Sequence, residues 1–438
     1  MGNQIRRLDL RGQQLSAANI RDLLPRASLD ISQAVEQIRP LVDQIKTKGV
    51  PPVVAAAVKY DGFDPEPLLV SAEEIEAAVA ALDQDLRLAI EESIARVRSV
   101  SEATLPNSVS VSLGDGAEVS QRWQPIESVG LYVPGGRAVY PSSVIMNVVP
   151  AQVAGVSRLV IATPGQKDFG GRPHPTVLAT AGLLGVKSIL NIGGPAAIAA
   201  FAYGLPQIDF APVDMVTGPG NIFVAAAKRL LRGTIGIDSE AGTTEILVLA
   251  DQTANASFIA YDLVSQAEHD DAAASILVSD SSELVSAVAA ELELIVPRAH
   301  HSERVAKALA GRQSALVLVD DIAQGVEIAN AYATEHLEIM TANLPETLKS
   351  IKHAGAIFMG DYSPVSLGDY MAGSNHVLPT GSTARFNAGL GVHTFLRAQQ
   401  VINYEENALA AIADRIDTFS VAEGLPAHGQ AVKTRFSK

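Results

Sequence analysis

The sequence predicts an α/β protein made of two parallel-sheet units, and three observations predict it. From Val129 onward, short apolar runs of strand length alternate with stretches of helical spacing. A second alternating run begins at Ser314. The chain has 438 residues, 47% of them apolar, which is more than one ordinary core accommodates.

In chain order, residues 28 to 48 and 71 to 103 carry helical spacing, and Ser71-Ala72-Glu73-Glu74 reads as a capping box. Leu82, Leu86, Ile90, Ile94 and Val97 would line one face of that second helix. Alternation at Val109, Val111 and Leu113, then Asp115-Gly116, then Val119, predicts a hairpin just ahead of the only tryptophan, Trp123. Strands follow at Gly130 to Val133, Arg158 to Ala162, Ser188 to Ile192, Val213 to Val216 and Ile246 to Ala250.

Glycines close several of these strands, in Pro134-Gly135-Gly136, Gly193-Gly194 and Gly218-Pro219-Gly220-Asn221. Open α/β sheets place ligands at strand carboxyl ends, so the units read as Rossmann-like; simple turn chemistry explains each loop about as well, since no G-x-G-x-x-G opens a helix. After Ser314 to Val319 come a helix near 321 to 334 and strands at Leu337 to Met340 and Ala354 to Met359. The helical spacing before 104 and after about 390 adds a helical N-terminal segment and a helical tail. The expected units are an N-terminal segment 1–27, a first α/β domain of 28–131 with 245–388, an inserted α/β domain 132–244, and a tail 389–438.

Composition narrows the chemistry. Cysteine is absent, which excludes disulfides, thiolate nucleophiles and cysteine-based metal sites, so any metal must use His, Asp, Glu or amide oxygen. A net charge of −15 argues against nucleic-acid and anionic-membrane partners and leaves a small molecule. No apolar run approaches a membrane span and the first residues lack the apolar core of a signal peptide, so the expected address is cytoplasmic.

Four polar patches remain. The stretch Pro364 to Gly381 reads as a shaped loop, with Asp369 either a metal ligand or base, or an Asx-turn stabiliser. In Ser265-Gln266-Ala267-Glu268-His269-Asp270, Gln266 and His269 would share a helix face, as metal ligands or as a capping feature. Glu335-His336 offers two proton acceptors where a helix gives way to a strand, or else a solvated pair. The tail ends in Glu423-Gly424-Leu425-Pro426-Ala427-His428-Gly429, while His174, His300, His301, His353 and His393 read as solvated or structural.

Taken in order, Gly130-Leu131-Tyr132-Val133-Pro134-Gly135-Gly136, Gly218-Pro219-Gly220-Asn221, Ser265 to Asp270, Ala333-Thr334-Glu335-His336-Leu337-Glu338, Gly368 to Thr380 and Glu423 to His428 resemble the histidinol dehydrogenase family over nearly the whole chain. Ala138-Val139-Tyr140-Pro141-Ser142-Ser143 is similar to its actinobacterial branch. The resemblance implies oxidation of L-histidinol through histidinal to L-histidine, with two NAD used in turn and one zinc ion per subunit. It implies zinc ligands Gln266, His269, Asp369 and His428, the last reaching the partner's metal from a swapped tail in a homodimer with shared sites. It further implies His336 and Glu335 as catalytic bases, substrate contacts from Thr244, Gln266, His269, His336, Asp369, His376, Glu423 and His428, and NAD contacts from Tyr132, Asn221 and position 196. There the family pattern has glutamine and this chain has Ala196, which implies weakened NAD affinity or a substitute contact. Two other readings compete: a paralogue oxidising another alcohol, and a non-catalytic scaffold. The presence of His376, Glu423 and His428 favours histidinol, and intact Glu335 and His336 argue against a scaffold.

Overall fold

Two parallel sheets and a small antiparallel one make up this computed structural model, which describes residues 5–27, 31–135, 139–240 and 242–437. Gly136 and Ala138 of the sequence motifs, and the expected domain edge at 28, lie outside the described residues.

The chain opens with strand β1 (Arg6–Asp9), which sequence reading did not signal, and helix α1 (Ala17–Leu23), started by Ser16 accepting from the Asn19 amide. Helix α2 (Ile31–Lys48) is followed by α3 (Val50–Tyr60), and the break between them is Gly49, whose φ of 69° suits glycine. The run predicted as one helix over 71–103 is two, α4 (Ala72–Ala80) with the expected Ser71–Glu74 capping box, and α5 (Gln84–Ala103). Asp83 makes the break by accepting from the Asp85 and Leu86 amides. Ile90 and Val97 are therefore buried while Leu86 is left exposed.

The predicted hairpin is β2 (Val109–Gly114) with β3 (Ala117–Pro125). Next come β4 (Ser128–Tyr132), α6 (Pro141–Ala154), β5 (Arg158–Thr163), α7 (Pro175–Leu183), β6 (Ile189–Asn191), α8 (Gly194–Tyr203), β7 (Met215–Thr217), α9 (Ile222–Leu231) and β8 (Gly236–Ile237). They form a five-stranded parallel sheet in the order β6-β5-β4-β7-β8. The order reverses beside β4, the switch point at which such sheets open a crevice.

The second parallel unit contains β9 (Glu245–Ala250), α10 (Ala256–Ala267), β10 (Ala274–Ser279), α11 (Ser282–Ile295), α12 (Ser302–Ala310), β11 (Ala315–Leu318), α13 (Ile322–Tyr332), β12 (His336–Met340), α14 (Leu344–Ser350), β13 (Ala356–Met359) and α15 (Val365–Tyr370). Its six strands run β1-β11-β10-β9-β12-β13, with β1 added at one edge. Alternate residues of β9 feed opposite faces: Ile246 and Val248 meet α10 to α12, and Leu247 and Leu249 meet α1 and α13. Each such buried side chain contributes roughly 1.5–3 kcal/mol relative to exposure.

Two expectations need correction. The Pro364–Gly381 stretch is not wholly loop, because α15 occupies its first part. It packs close: a Cβ on Gly368 would come within 2.7 Å of the Phe358 ring. Second, the helices of 31–103 do not join the strands after 245. Ala34, Val35, Ile38, Val42 and Ile45 of α2 share a core with Val160 and Leu190, and Ile90 and Val97 of α5 share one with Val129 and Leu131. Helical periodicity says that a face is apolar but not which sheet it covers.

The tail is helical only after a nine-residue strand, β14 (Leu396–Tyr404), which pairs antiparallel with β3. Helices α16 (Glu406–Ala410), α17 (Ala413–Ala422) and α18 (Pro426–Lys433) complete it. Among the described residues, no helix is long and apolar enough to cross a membrane.

Candidate active site

The polar patches of the second unit converge at the amino edge of the six-stranded sheet, where β9 and β12 lie side by side with His336 opposite Ile246. This is the sheet's switch point, but on the side opposite to the usual carboxyl-end crevice. Thr244 immediately precedes β9, and Glu335 and His336 lie where β12 begins. Helix α10 returns to the same edge and brings Gln266 at its end. His269 lies in the turn beyond, its amide donating to the Gln266 carbonyl at 3.3 Å, so the two are not on one helix face. Asp369 is supplied by α15.

A hydrogen-bonded chain fixes these groups. The Gln266 Nε2–H donates to Thr244 Oγ1 at 2.5 Å, and the Thr244 hydroxyl donates to Glu335 Oε2 at 2.5 Å. The Glu245 backbone N–H donates to the same Glu335 oxygen at 2.9 Å. Because the single Thr244 hydrogen is spent on the carboxylate, the threonine oxygen must accept from Gln266. That turns Gln266 Oε1 the other way, where it is buried with no hydrogen-bond partner.

Next to this chain, the His336 Nδ1 lies 3.1 Å from the Glu245 carbonyl oxygen. A carbonyl only accepts, so Nδ1 carries the hydrogen and Nε2 keeps a free lone pair. Burial lowers the His336 pKa against the opposing pull of Asp369, so the ring is a neutral base at pH 7. Burial pushes the Glu335 carboxyl up to about 8, against the two hydrogen bonds it accepts. His376 uses the same device, with Nδ1 at 3.3 Å from the Asp369 carbonyl and Nε2 at 3.4 Å from the Ser143 hydroxyl. The His269 ring is reached by solvent, yet the wall of protein around it strips enough hydration to lower its pKa, while Asp369 acts to raise it. The Asp369 charge thus acts on His269, His336 and His376 alike.

Sequence reading missed the scaffold of this cluster. Arg26 grips Glu245 at 2.6 and 2.8 Å, stacks 3.8 Å over the Tyr332 ring and donates to the Tyr332 carbonyl. Glu245 also accepts from the Gly381 amide at 2.8 Å. The available signal was a carboxylate opening an otherwise apolar strand.

Glu423 and His428 are not part of this cluster. Glu423 caps the end of α17 and His428 lies in the first turn of α18, both exposed, and among the described residues no three His, Asp or Glu side chains gather into a metal site. The three positions expected at NAD lie at the carboxyl edge of the five-stranded sheet. Tyr132 ends β4, and its hydroxyl accepts from the Gly194 amide at 3.0 Å, with burial pushing the phenol up to about 12. Ala196 is buried in the first turn of α8, and Asn221 caps α9 by accepting from the Phe223 and Val224 amides. Gly218 joins the two loops; its φ is +114°, and a Cβ there would fall 2.0 Å from the Tyr132 carbonyl oxygen.

A family profile described as "Histidinol dehydrogenase" matches residues 24–436. The chain is 52% identical to a histidinol dehydrogenase of Leifsonia xyli over 98% of this chain and 99% of that one. It is also 52% identical to that of Thermobifida fusca, over 100% and 99%. The fold matches a crystal structure of histidinol dehydrogenase from Elizabethkingia anophelis with a TM-score of 0.92 at 30% identity, covering 100% of this chain and 98% of that one.

Proposed function

The chain belongs to the histidinol dehydrogenase family of histidine-biosynthetic oxidoreductases, and from that premise we propose that it oxidises L-histidinol by four electrons to L-histidine, using NAD and zinc. The observation that carries this reading is the bridge from Gln266 through Thr244 to Glu335, beside a His336 whose Nε2 is free. Two bases of different kind stand at one point, with an unspent amide oxygen next to them.

The residues present fit a zinc ion. Gln266 Oε1 is buried and unpartnered, which is costly unless something outside the chain takes it, and His269 and Asp369 add a nitrogen and an oxygen donor. The proposed ligands are Gln266, His269 and Asp369 of one chain and His428 of a second. When bound, the metal supplies a fixed anchor for the substrate's imidazole and amine. NAD supplies the hydride acceptor, on the side of Tyr132, Asn221 and Ala196.

The chain's own groups supply the proton chemistry. His336 Nε2 accepts the alcohol proton as the carbinol C–H leaves as hydride, which yields the aldehyde. Glu335, once ionised, takes a proton from the water that adds to that aldehyde. As water adds, His336 gives its first proton to the aldehyde oxygen, which completes the hydrate and frees Nε2 again. The hydrate then passes an O–H proton to His336 as the second hydride leaves, giving the carboxylic acid, which ionises to the carboxylate at neutral pH. Thr244 keeps Glu335 and Gln266 in register, and His376 and Glu423 complete the substrate contacts.

Support for a homodimer with shared sites comes from what one chain leaves bare. Val111 at 54%, Leu113 at 61% and Ile402 at 71% exposure lie on the antiparallel sheet, and Phe419 at 70% on the tail. Apolar surface of this kind suits a second copy, and the exposed His428 suits delivery to its site. The reading places this homodimer in the cytoplasm, with a small-molecule substrate and neither nucleic acid nor membrane as partner.

The test is the NADH formed per L-histidinol consumed by zinc-loaded protein in excess NAD. Two NADH, lost on chelation and regained with zinc, are expected. One NADH, or turnover only of another alcohol, refutes the assignment.

A further inference from the structure

Behind the site lies a pair of carboxyl groups that the chemistry does not use. Glu338 is two residues beyond His336 on β12 and so faces the same side of the sheet, toward α10 and α15. Asp262 lies on α10 one helical turn before Gln266. Both are buried, at 1% and 8% exposure. Glu338 Oε1 accepts from the Val365 amide at 2.9 Å, and Val365 is the first residue of the helix that carries Asp369.

The second Glu338 oxygen, Oε2, meets no N–H or O–H donor. What faces Glu338 is the Asp262 carboxyl, and two carboxylates in a dry core do not both ionise. Burial and the Asp262 charge hold Glu338 well above the carboxylate range, and burial lifts Asp262 to about 6. A proton between them satisfies Oε2. Apolar side chains of similar volume would seal this core at lower cost, so the pair is a poor device for stability alone. Its distinctive contact is with the backbone that starts α15.

We propose that Glu338 is a positioning residue for the metal site: packed against α10, it ties the start of α15 to β12 and thereby sets Asp369 against Gln266 and His269. The inference rests on the reading of those three residues as zinc ligands. The helix that carries Gln266 and leads into His269, and the helix that carries Asp369, both meet Glu338, so loosening this contact moves Asp369 relative to the other two ligands while leaving every ligand in the sequence.

The experiment measures zinc affinity of the full-length protein by competition with a chromogenic chelator, in three variants. Glu338→Gln keeps an oxygen for the Val365 amide and offers Asp262 an N–H, and should hold zinc within about threefold of the wild type. Glu338→Met removes the acceptor and should weaken zinc by roughly 10–100-fold, the loss typical of supporting contacts around a metal. Val365→Pro removes the donor and keeps a buried apolar side chain of slightly smaller size, since proline suits the first turn of a helix and Pro364, at φ −66° and ψ 155°, tolerates a following proline. It should weaken zinc to a similar degree, and it decides the matter if Glu338→Met does not fold. Unchanged affinity in Val365→Pro, or an equal loss in Glu338→Gln and Glu338→Met, overturns the positioning role while leaving the ligand assignment standing. A wild-type protein that takes up no zinc overturns the ligand assignment, and this inference with it.

Discussion

The Glu335 carboxyl makes a prediction in which stability and catalysis are read from one substitution. It stays protonated in the folded chain up to about 8, whereas the ordinary carboxyl gives up its proton near 4.5. The folded state therefore binds more protons than the unfolded one between those values, and Glu335 favours folding fully below 4.5 and progressively less as pH rises through about 8. The gap between about 8 and 4.5, at about 1.36 kcal/mol per pH unit, sets an upper limit of ~5 kcal/mol. Glu335→Gln removes the titration and keeps an oxygen that accepts from Thr244 and the Glu245 amide. The variant and the wild type should thus unfold alike at about pH 4, below the ordinary carboxyl value, and the variant should become the more stable by up to ~5 kcal/mol at about pH 9. Urea unfolding of chelator-treated protein across that range measures the difference, with every other titrating group cancelling. A difference that stays constant with pH would refute the buried-carboxyl account. The same substitution should lower turnover of the aldehyde by roughly 10²–10⁴-fold, since the base is gone.

Four further outcomes are expected. His336→Asn keeps a donor for the Glu245 carbonyl but no free ring nitrogen, and should lower alcohol oxidation by about 10²–10⁴-fold with zinc content unchanged; steady-state rates beside metal analysis check it. Arg26→Met strands Glu245, whose side chain is 1% exposed, and should cost roughly 3–5 kcal/mol in the urea transition. Ala196→Gln should tighten NAD binding by about 0.5–1.5 kcal/mol, one added hydrogen bond, and an unchanged dissociation constant would count against a cofactor contact at this position. Mixing inactive Glu335→Gln and His428→Ala proteins under subunit exchange should restore about a quarter of wild-type activity, because one site of each mixed dimer is whole; no recovery would place His428 in the site of its own chain.

Much of this protein was legible in local sequence. Short apolar runs of strand length marked β4, β5, β9 and β12, the Ser71–Glu74 pair marked a helix start, and Asp115-Gly116 marked the hairpin, because each is decided by neighbours within a few residues. Gln266, His269, Glu335, His336 and Asp369 could be singled out as chemically capable types in polar patches. Strand β1 could not, since Arg6–Asp9 has no alternation to show and gains its place only by pairing with β11. The helix break at Asp83 was missed because the apolar spacing continues through it, and β14 because its mostly exposed residues show no alternation and it gains its place by pairing with β3.

Sequence by itself determined which residues can ionise, ligate or break a helix, and the absence of cysteine settled what kind of metal site was available. Tertiary structure decided how those residues act. Whether Glu335 is an ordinary carboxylate or a base near pH 8 depends on burial and on Thr244 and Glu245, some 90 residues away in the chain. Which nitrogen of His336 is free depends on a carbonyl of another strand, and the grip on that strand comes from Arg26, 219 residues before it. Hydration, hydrogen-bond direction and charge pairing are set by what lies within a few ångströms in space, and distance along the chain does not encode that.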